Sequence, residues 1–114
     1  MLDHFVYRAG DAIVGFGGLY RHDLEMGREW LNWFGVDPGH RGMGYGVRII
    51  EHLVHLAQRR GAATVVGYTE DGEDNLSTQH FYEKLGFRAT VLYSFRGEEV
   101  RLYEKHIRTT TAAE

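Results

Sequence analysis

Cysteine is absent from this 114-residue chain and proline occurs once. Without a thiol there is no disulfide framework, no thiolate metal site and no cysteine nucleophile; such usage suits a reducing compartment, so a cytoplasmic location is expected. No apolar run exceeds a few residues, far short of the ~20 that span a bilayer. Residues 1–10 also lack the apolar stretch of a secretory leader, so no membrane partner is expected. Positive charge is not in excess either: 13 Lys and Arg against 16 Asp and Glu give a net charge of −3, with no basic patch to suggest a nucleic-acid partner. Hydrophobic residues at 43% and charged residues at 25% exclude a disordered or fibrous chain. The length fits one domain by the usual span of about 100–200 residues. A domain of this size buries only about two thirds of its unfolded surface, so a ligand or a second subunit would add usefully to its stability.

What the chain has in plenty is glycine, 15 residues, about twice the ~7% average, and the glycines fall at joints. Phe5-Val6-Tyr7, then Ala9-Gly10-Asp11, then Ala12 to Tyr20 read as two strands joined by a tight turn. Gly15, Gly17 and Gly18 inside the second strand indicate a bulge or a close backbone approach. Arg21 to Arg28 makes a charged connection. Trp30 to Val36, apolar on both faces apart from Asn32, reads as a strand inside the sheet rather than at its edge.

From Gly46 onward Ile49, Ile50, Leu53, Leu56 and Ala57 recur at helical spacing, and Gly61 after Arg59 and Arg60 stops the helix. Thr64 to Tyr68 is a β-branched strand and Asp71 to Asp74 an acidic loop. Asn75 can cap a second helix that runs through Phe81 to Leu85 and stops at Gly86. Ala89 to Phe95 and Glu99 to Ile107 form a second hairpin, and residues 108–114 a loose tail. The class is mixed α/β, one domain over 1–107. The crossover from Trp30–Val36 to Thr64–Tyr68 predicts one parallel pair within an otherwise antiparallel sheet.

The segment carrying most chemistry is Val36-Asp37-Pro38-Gly39-His40-Arg41-Gly42-Met43-Gly44-Tyr45-Gly46, a glycine-rich turn between a buried strand and a helix start. Unpaired N–H groups of the first helical turn, the helix dipole and the close approach that glycine permits make such a joint attractive to anions, and Arg41 adds a cation. The nucleoside-triphosphate loop is excluded because no Lys-Ser or Lys-Thr pair follows. The dinucleotide fingerprint fits poorly because Ile49 stands where it wants glycine or alanine. His52 and His55 lie three apart on the first helix, but no carboxylate completes a set with them, and no catalytic metal is expected.

Arg41-Gly42-Met43-Gly44-Tyr45-Gly46, read as R-x-x-G-x-G, resembles the pyrophosphate-binding motif of the GNAT superfamily of acyl-CoA-dependent N-acyltransferases. Asn75, followed seven residues later by Tyr82 and then Lys84-Leu85-Gly86-Phe87, resembles that superfamily's other hallmark, and the likeness extends over about Phe5 to Ile107. The resemblance implies a twisted, mostly antiparallel sheet whose parallel pair splays to admit acetyl-CoA, with two main helices. It implies backbone contacts from Phe34, Gly35 and Val36 to the pantetheine arm, amides of Gly42 to Gly46 on the pyrophosphate, and Asn75 beside the pantetheine. Tyr82 matches the general acid that protonates the departing thiolate, a role suited to a phenol that is neutral at physiological pH. For the base, Glu29 and Asn32 are the candidates; Asn32 accepts no proton but can position a water. The expected reaction is acetyl transfer from acetyl-CoA to a primary amine, borne by a small molecule or a peptide, by direct attack through a tetrahedral intermediate. A non-catalytic acyl-CoA-binding module, or a fragment of a larger acetyltransferase, is the alternative. Members of the superfamily carry a strand and two helices ahead of the first hairpin seen here, so pairing of two copies as a homodimer is expected to cover the surface left open.

Overall fold

The computed structural model describes residues 2–21, 27–69, 76–93 and 95–107. Six strands form one sheet: β1 (Leu2–Ala9), β2 (Ala12–Tyr20), β3 (Arg28–Val36), β4 (Thr64–Thr69), β5 (Arg88–Tyr93) and β6 (Glu99–His106), in the spatial order β1-β2-β3-β4-β6-β5. Two helices, α1 (Tyr45–Arg59) and α2 (Leu76–Lys84), follow β3 and β4. All neighbouring strands are antiparallel except β3 and β4, the parallel pair that the crossover through α1 requires. The acidic stretch Asp71 to Asp74, the capping residue Asn75, most of the Arg21–Arg28 connection and the tail from 108 lie outside the described residues.

The glycine-rich second strand does bulge: the β2–β3 register shifts between Phe16 and Gly18, and the β1–β2 register shifts between Tyr7 and Arg8. Bulges of this kind raise the local twist and bend the strand. On α1 the predicted stripe is the buried one, with Ile49, Ile50, Leu53 and Ala57 turned inward. These side chains meet Leu19, Leu31, Val65 and Tyr103 from the sheet, together with Tyr82 and Phe87 from and just after α2. Ile49 and Leu53 lie against the backbone of Gly17, while the Tyr82 hydroxyl and Leu31 lie against Gly67, so both helices cover the same side of the sheet. The other side carries no helix among the described residues, and Val6, Phe16, Tyr20 and Tyr68 remain exposed there. Outer strand β5 is exposed along all six residues.

Candidate functional site

Strand β3 runs nine residues and β4 six, yet they pair only at Arg28–Thr64, Glu29–Val65 and Trp30–Val66. Beyond Trp30, β3 keeps its ladder with β2 as far as Val36, and β4 keeps its ladder with β6 as far as Thr69. The two strands therefore diverge toward their C-terminal ends, and the facing backbone edges have no ladder partner in each other. A cavity of about 1150 Å³ fills the gap. Leu31 and Asn32 from β3, and Tyr68 and Thr69 from β4, all line it. Side chains of consecutive strand residues point to opposite faces, so the opening passes through the sheet.

One wall of this cleft is the start of α1. Gly44 is the N-cap residue, at φ 82°, and offers no side chain to the first-turn amides, nor does that turn hold an acidic residue. The N–H donors of Tyr45, Gly46 and Val47 are thus free of a side-chain cap at a dipole's positive end, and all three residues line the cavity with Gly42 and Gly44. Nothing lies within 4 Å of where a Cβ would stand on Gly42 or Gly44, so the loop leaves room for an oxyanion at its backbone. The loop is braced from below. Asp37 accepts from the Gly39 amide at 3.1 Å and pairs with His40 Nδ1 at 2.8 Å, while Arg41 Nε donates to the Val36 carbonyl at 3.2 Å. The His40 contact holds the Asp37 carboxyl below its ordinary range. Met43, 63% exposed, is the one member of the loop from Arg41 to Gly46 that does not line the cleft.

Against the first turn of α1, Phe81 stacks on Phe34 with ring centroids 5.8 Å apart, and a Cβ on Gly46 would stand 3.3 Å from the Phe81 ring and 3.5 Å from that of Phe34. Next to it Tyr82 is buried, stacked on Tyr103 at 4.3 Å and packed edge-on by Phe81 and Phe87. Its hydroxyl lies close over β4 where position 67 is glycine: a Cβ there would lie 3.1 Å from that oxygen. Burial pushes the Tyr82 phenol up to about 12, and Tyr7 likewise. Both phenols hold their proton more tightly folded than at the ordinary value of 10.0. Their contribution to stability is therefore complete below pH ~10 and is lost as pH rises toward ~12, because the unfolded chain then binds fewer protons. Urea midpoints measured from pH 8 to 12 are expected to fall only above pH ~10, and Tyr82→Phe is expected to flatten part of that fall.

Asn32, Phe34, Gly35, Val36, Arg41, Gly42, Gly44, Tyr45, Gly46 and Tyr82 come together around this one cavity. Glu29 is not among them. Its carboxylate is fully buried on the helix-covered side, bonded to Arg21 at 2.9 Å and to Arg60 at 3.1 Å, with Arg60 also bonded to Asp3. A carboxylate so enclosed ties β1, β3 and the end of α1 together and does not reach the cleft. Asn75 lies outside the described residues. Phe16, Tyr68 and Thr69, with Ser77 and Thr78 of α2, also line the cavity and were not singled out from the sequence; only the packing of strands and helix around the splay identifies them. His52 pairs its Nδ1 with the Tyr7 hydroxyl at 2.7 Å, and among the described residues no cluster of potential metal ligands occurs.

The model of the Acetyltransferase (GNAT) family matches residues 2–87. The spermine/spermidine N(1)-acetyltransferase of Bacillus subtilis is 32% identical over 105 residues, covering 87% of this chain and 67% of that protein. Among solved structures, a GNAT family acetyltransferase from Elizabethkingia anophelis with acetyl-CoA bound superposes at a TM-score of 0.76 and 15% identity, covering 91% of this chain and 75% of that one. A Bacillus subtilis acetyltransferase in complex with CoA superposes at 0.79 and 16% identity, covering 91% and 76%.

Proposed function

Because this chain belongs to the GNAT family of acetyltransferases, we propose that it transfers an acetyl group from acetyl-CoA to a primary amine by direct attack. The observation that carries the reading is the uncapped, glycine-lined start of α1 opening into the same splayed cleft as the Tyr82 hydroxyl. The cleft thus brings together amides that suit a pyrophosphate and a neutral acid. The amides from Gly42 to Gly46, with Arg41, would take the pyrophosphate, and the unpaired edge of β3 at Phe34, Gly35 and Val36 would bond the pantetheine arm as a neighbouring strand would.

The amine nitrogen attacks the thioester carbon, a tetrahedral species forms, and the C–S bond breaks as Tyr82 gives its proton to the sulfur. The proton lost by the nitrogen leaves through a water positioned by Asn32, which lines the cleft. A buried phenol at about 12 stays protonated throughout the physiological range, as a general acid must. Likeness to a spermine/spermidine acetyltransferase favours a small polyamine as acceptor, with a peptide amine as the other member of the class. A cytoplasmic setting and a homodimer belong to the same proposal; the exposed side of the sheet, which carries no helix among the described residues, supports the homodimer.

Calorimetric titration with acetyl-CoA tests this. Micromolar binding is expected for the wild type, and Gly44→Glu, which places an anion at the loop and strains a backbone at φ 82°, is expected to weaken it at least tenfold. Unchanged affinity in a folded Gly44→Glu protein would remove the pyrophosphate from this loop, and a folded wild type that binds no acetyl-CoA would overturn the donor assignment.

A further inference from the structure

The two outer strands of the sheet are built differently. β1 carries Asp3, His4 and Arg8 along its length, and its register with β2 shifts between Tyr7 and Arg8. Charge and irregularity of this kind keep a strand edge from pairing with another chain. β5 has neither: its ladder with β6 runs unbroken from Arg88 to Tyr93, and after Arg88 the sequence has no charged residue before Arg96 and no proline. Val91 and Tyr93 share a face with Ala89, which pairs with the core residue Tyr103, whereas Leu92 points to the other face. All three are nevertheless exposed, so neither helix covers them. Tyr93 is 71% exposed and Phe95, just beyond the strand, 98%. Away from β6, β5 pairs with no other strand among the described residues, so its outward backbone groups lie between apolar side chains on both faces.

We infer that this edge is the interface with a second copy of the chain, β5 pairing antiparallel with its counterpart about a two-fold axis at Val91 and joining two sheets into one. The inference rests on the homodimer proposed above and assigns its contact; it does not depend on the donor. Antiparallel pairing of two identical strands is two-fold by construction, so one patch serves both copies. Hydrogen-bonded positions recur at every second residue, so each residue faces one of the same parity. Centred on Val91, Thr90 meets Leu92 of the partner subunit and Ala89 meets Tyr93 of the partner subunit, small against large in each case. Centring one residue earlier would set Arg88 against an apolar Leu92. Val91, Leu92, Tyr93 and Phe95 are all exposed, and with the backbone edge they bring on the order of 500 Å² per copy. Two copies then bury about 1,000 Å², the area at which specific association begins. No residue of β5 lines the cleft, which such a dimer leaves open.

The chain has no cysteine, so Val91→Cys puts a single thiol on the proposed axis, where opposed Cα atoms stand about 4.5–5.5 Å apart, within disulfide reach. Mild oxidation is expected to turn Val91→Cys into a covalent dimer and to leave Val6→Cys, exposed on the other outer strand, monomeric. In sedimentation equilibrium the wild type is expected to dimerise at about 100 μM, as suits an interface of this size. Val91→Lys and Val91→Glu are each expected to associate about a hundredfold more weakly, because two like charges meet on the axis, and mixing them is expected to restore the dimer. A wild type monomeric at that concentration would overturn the interface. A dimer that forms undiminished in folded Val91→Lys, or that is cross-linked through Val6→Cys instead, would overturn it too and would point to packing of the helix-free faces. Acetyl-CoA affinity is expected to stay within twofold in Val91→Lys; a wild type that dimerises but binds no acetyl-CoA would remove the donor reading and leave this interface standing.

Discussion

Tyr82→Phe is expected to lower kcat about 100-fold while leaving the Kd for acetyl-CoA within twofold of wild type. General acid catalysis is worth about 10²–10⁴ in rate, and a hundredfold corresponds to about 2.7 kcal/mol of transition-state stabilisation. The substitution removes one oxygen and keeps the ring, so the stack on Tyr103 and the edge contacts with Phe81 and Phe87 survive. A loss confined to kcat is what the proposed mechanism demands, because in it the phenol acts on a sulfur that carries charge only as the C–S bond breaks. The pH profile adds a second check. With its phenol raised to about 12, the wild type is expected to show no fall in kcat from the acid's ionisation below pH ~10. Equal turnover in mutant and wild type would take Tyr82 out of the chemistry and leave it a core aromatic.

Glu29→Ala is expected to destabilise the fold by about 3 kcal/mol, the lower end of what breaking a buried ion pair costs, and to lower the melting temperature on the order of 10 °C. The carboxylate is wholly buried, and its two arginine partners keep side-chain exposures of 35% and 29%. Once abandoned, those guanidinium groups regain part of their hydration, which keeps the loss away from the upper end. Arg60 has the most to lose, since it also holds Asp3 and so fastens the last turn of α1 to the outer strand β1. A shift under 3 °C in a thermal melt would show that the network contributes little beyond the packing around it. Affinity for acetyl-CoA should change far less than stability, because Glu29 lies outside the cleft.

These two residues show what a sequence can and cannot disclose. The place of Tyr82 in the cleft lining was legible because its motif is local: a helix fixes the spacing of Phe81, Tyr82 and the Lys84-Leu85-Gly86-Phe87 ending. The strands and helices were legible for the same reason, with α1 declared by the buried set Ile49, Ile50, Leu53 and Ala57 at helical spacing. Glu29 looked like a candidate base because an acidic residue near a central strand resembles one. Its oxygens are taken by Arg21, eight residues away, and by Arg60, 31 residues away in the chain, whose other partner, Asp3, is 57 away from it. No local pattern carries that information. The extent of the splay, three paired positions and then divergence, follows from register and twist across four strands, and no single strand contains it.

A sheet ordinarily has two edges, and each is a hazard, because its unpaired N–H and C=O groups can recruit a stranger's strand. Divergence of β3 from β4 gives this sheet two more, turned inward toward each other. Restoring the ladder on both would take a single extended chain between strands about 10 Å apart, twice the usual spacing. The stacked rings of Phe34 and Phe81 stand at that gap. These inner edges face each other across an aromatic-lined cleft, whereas the outward edges of β1 and β5 face no strand of the sheet.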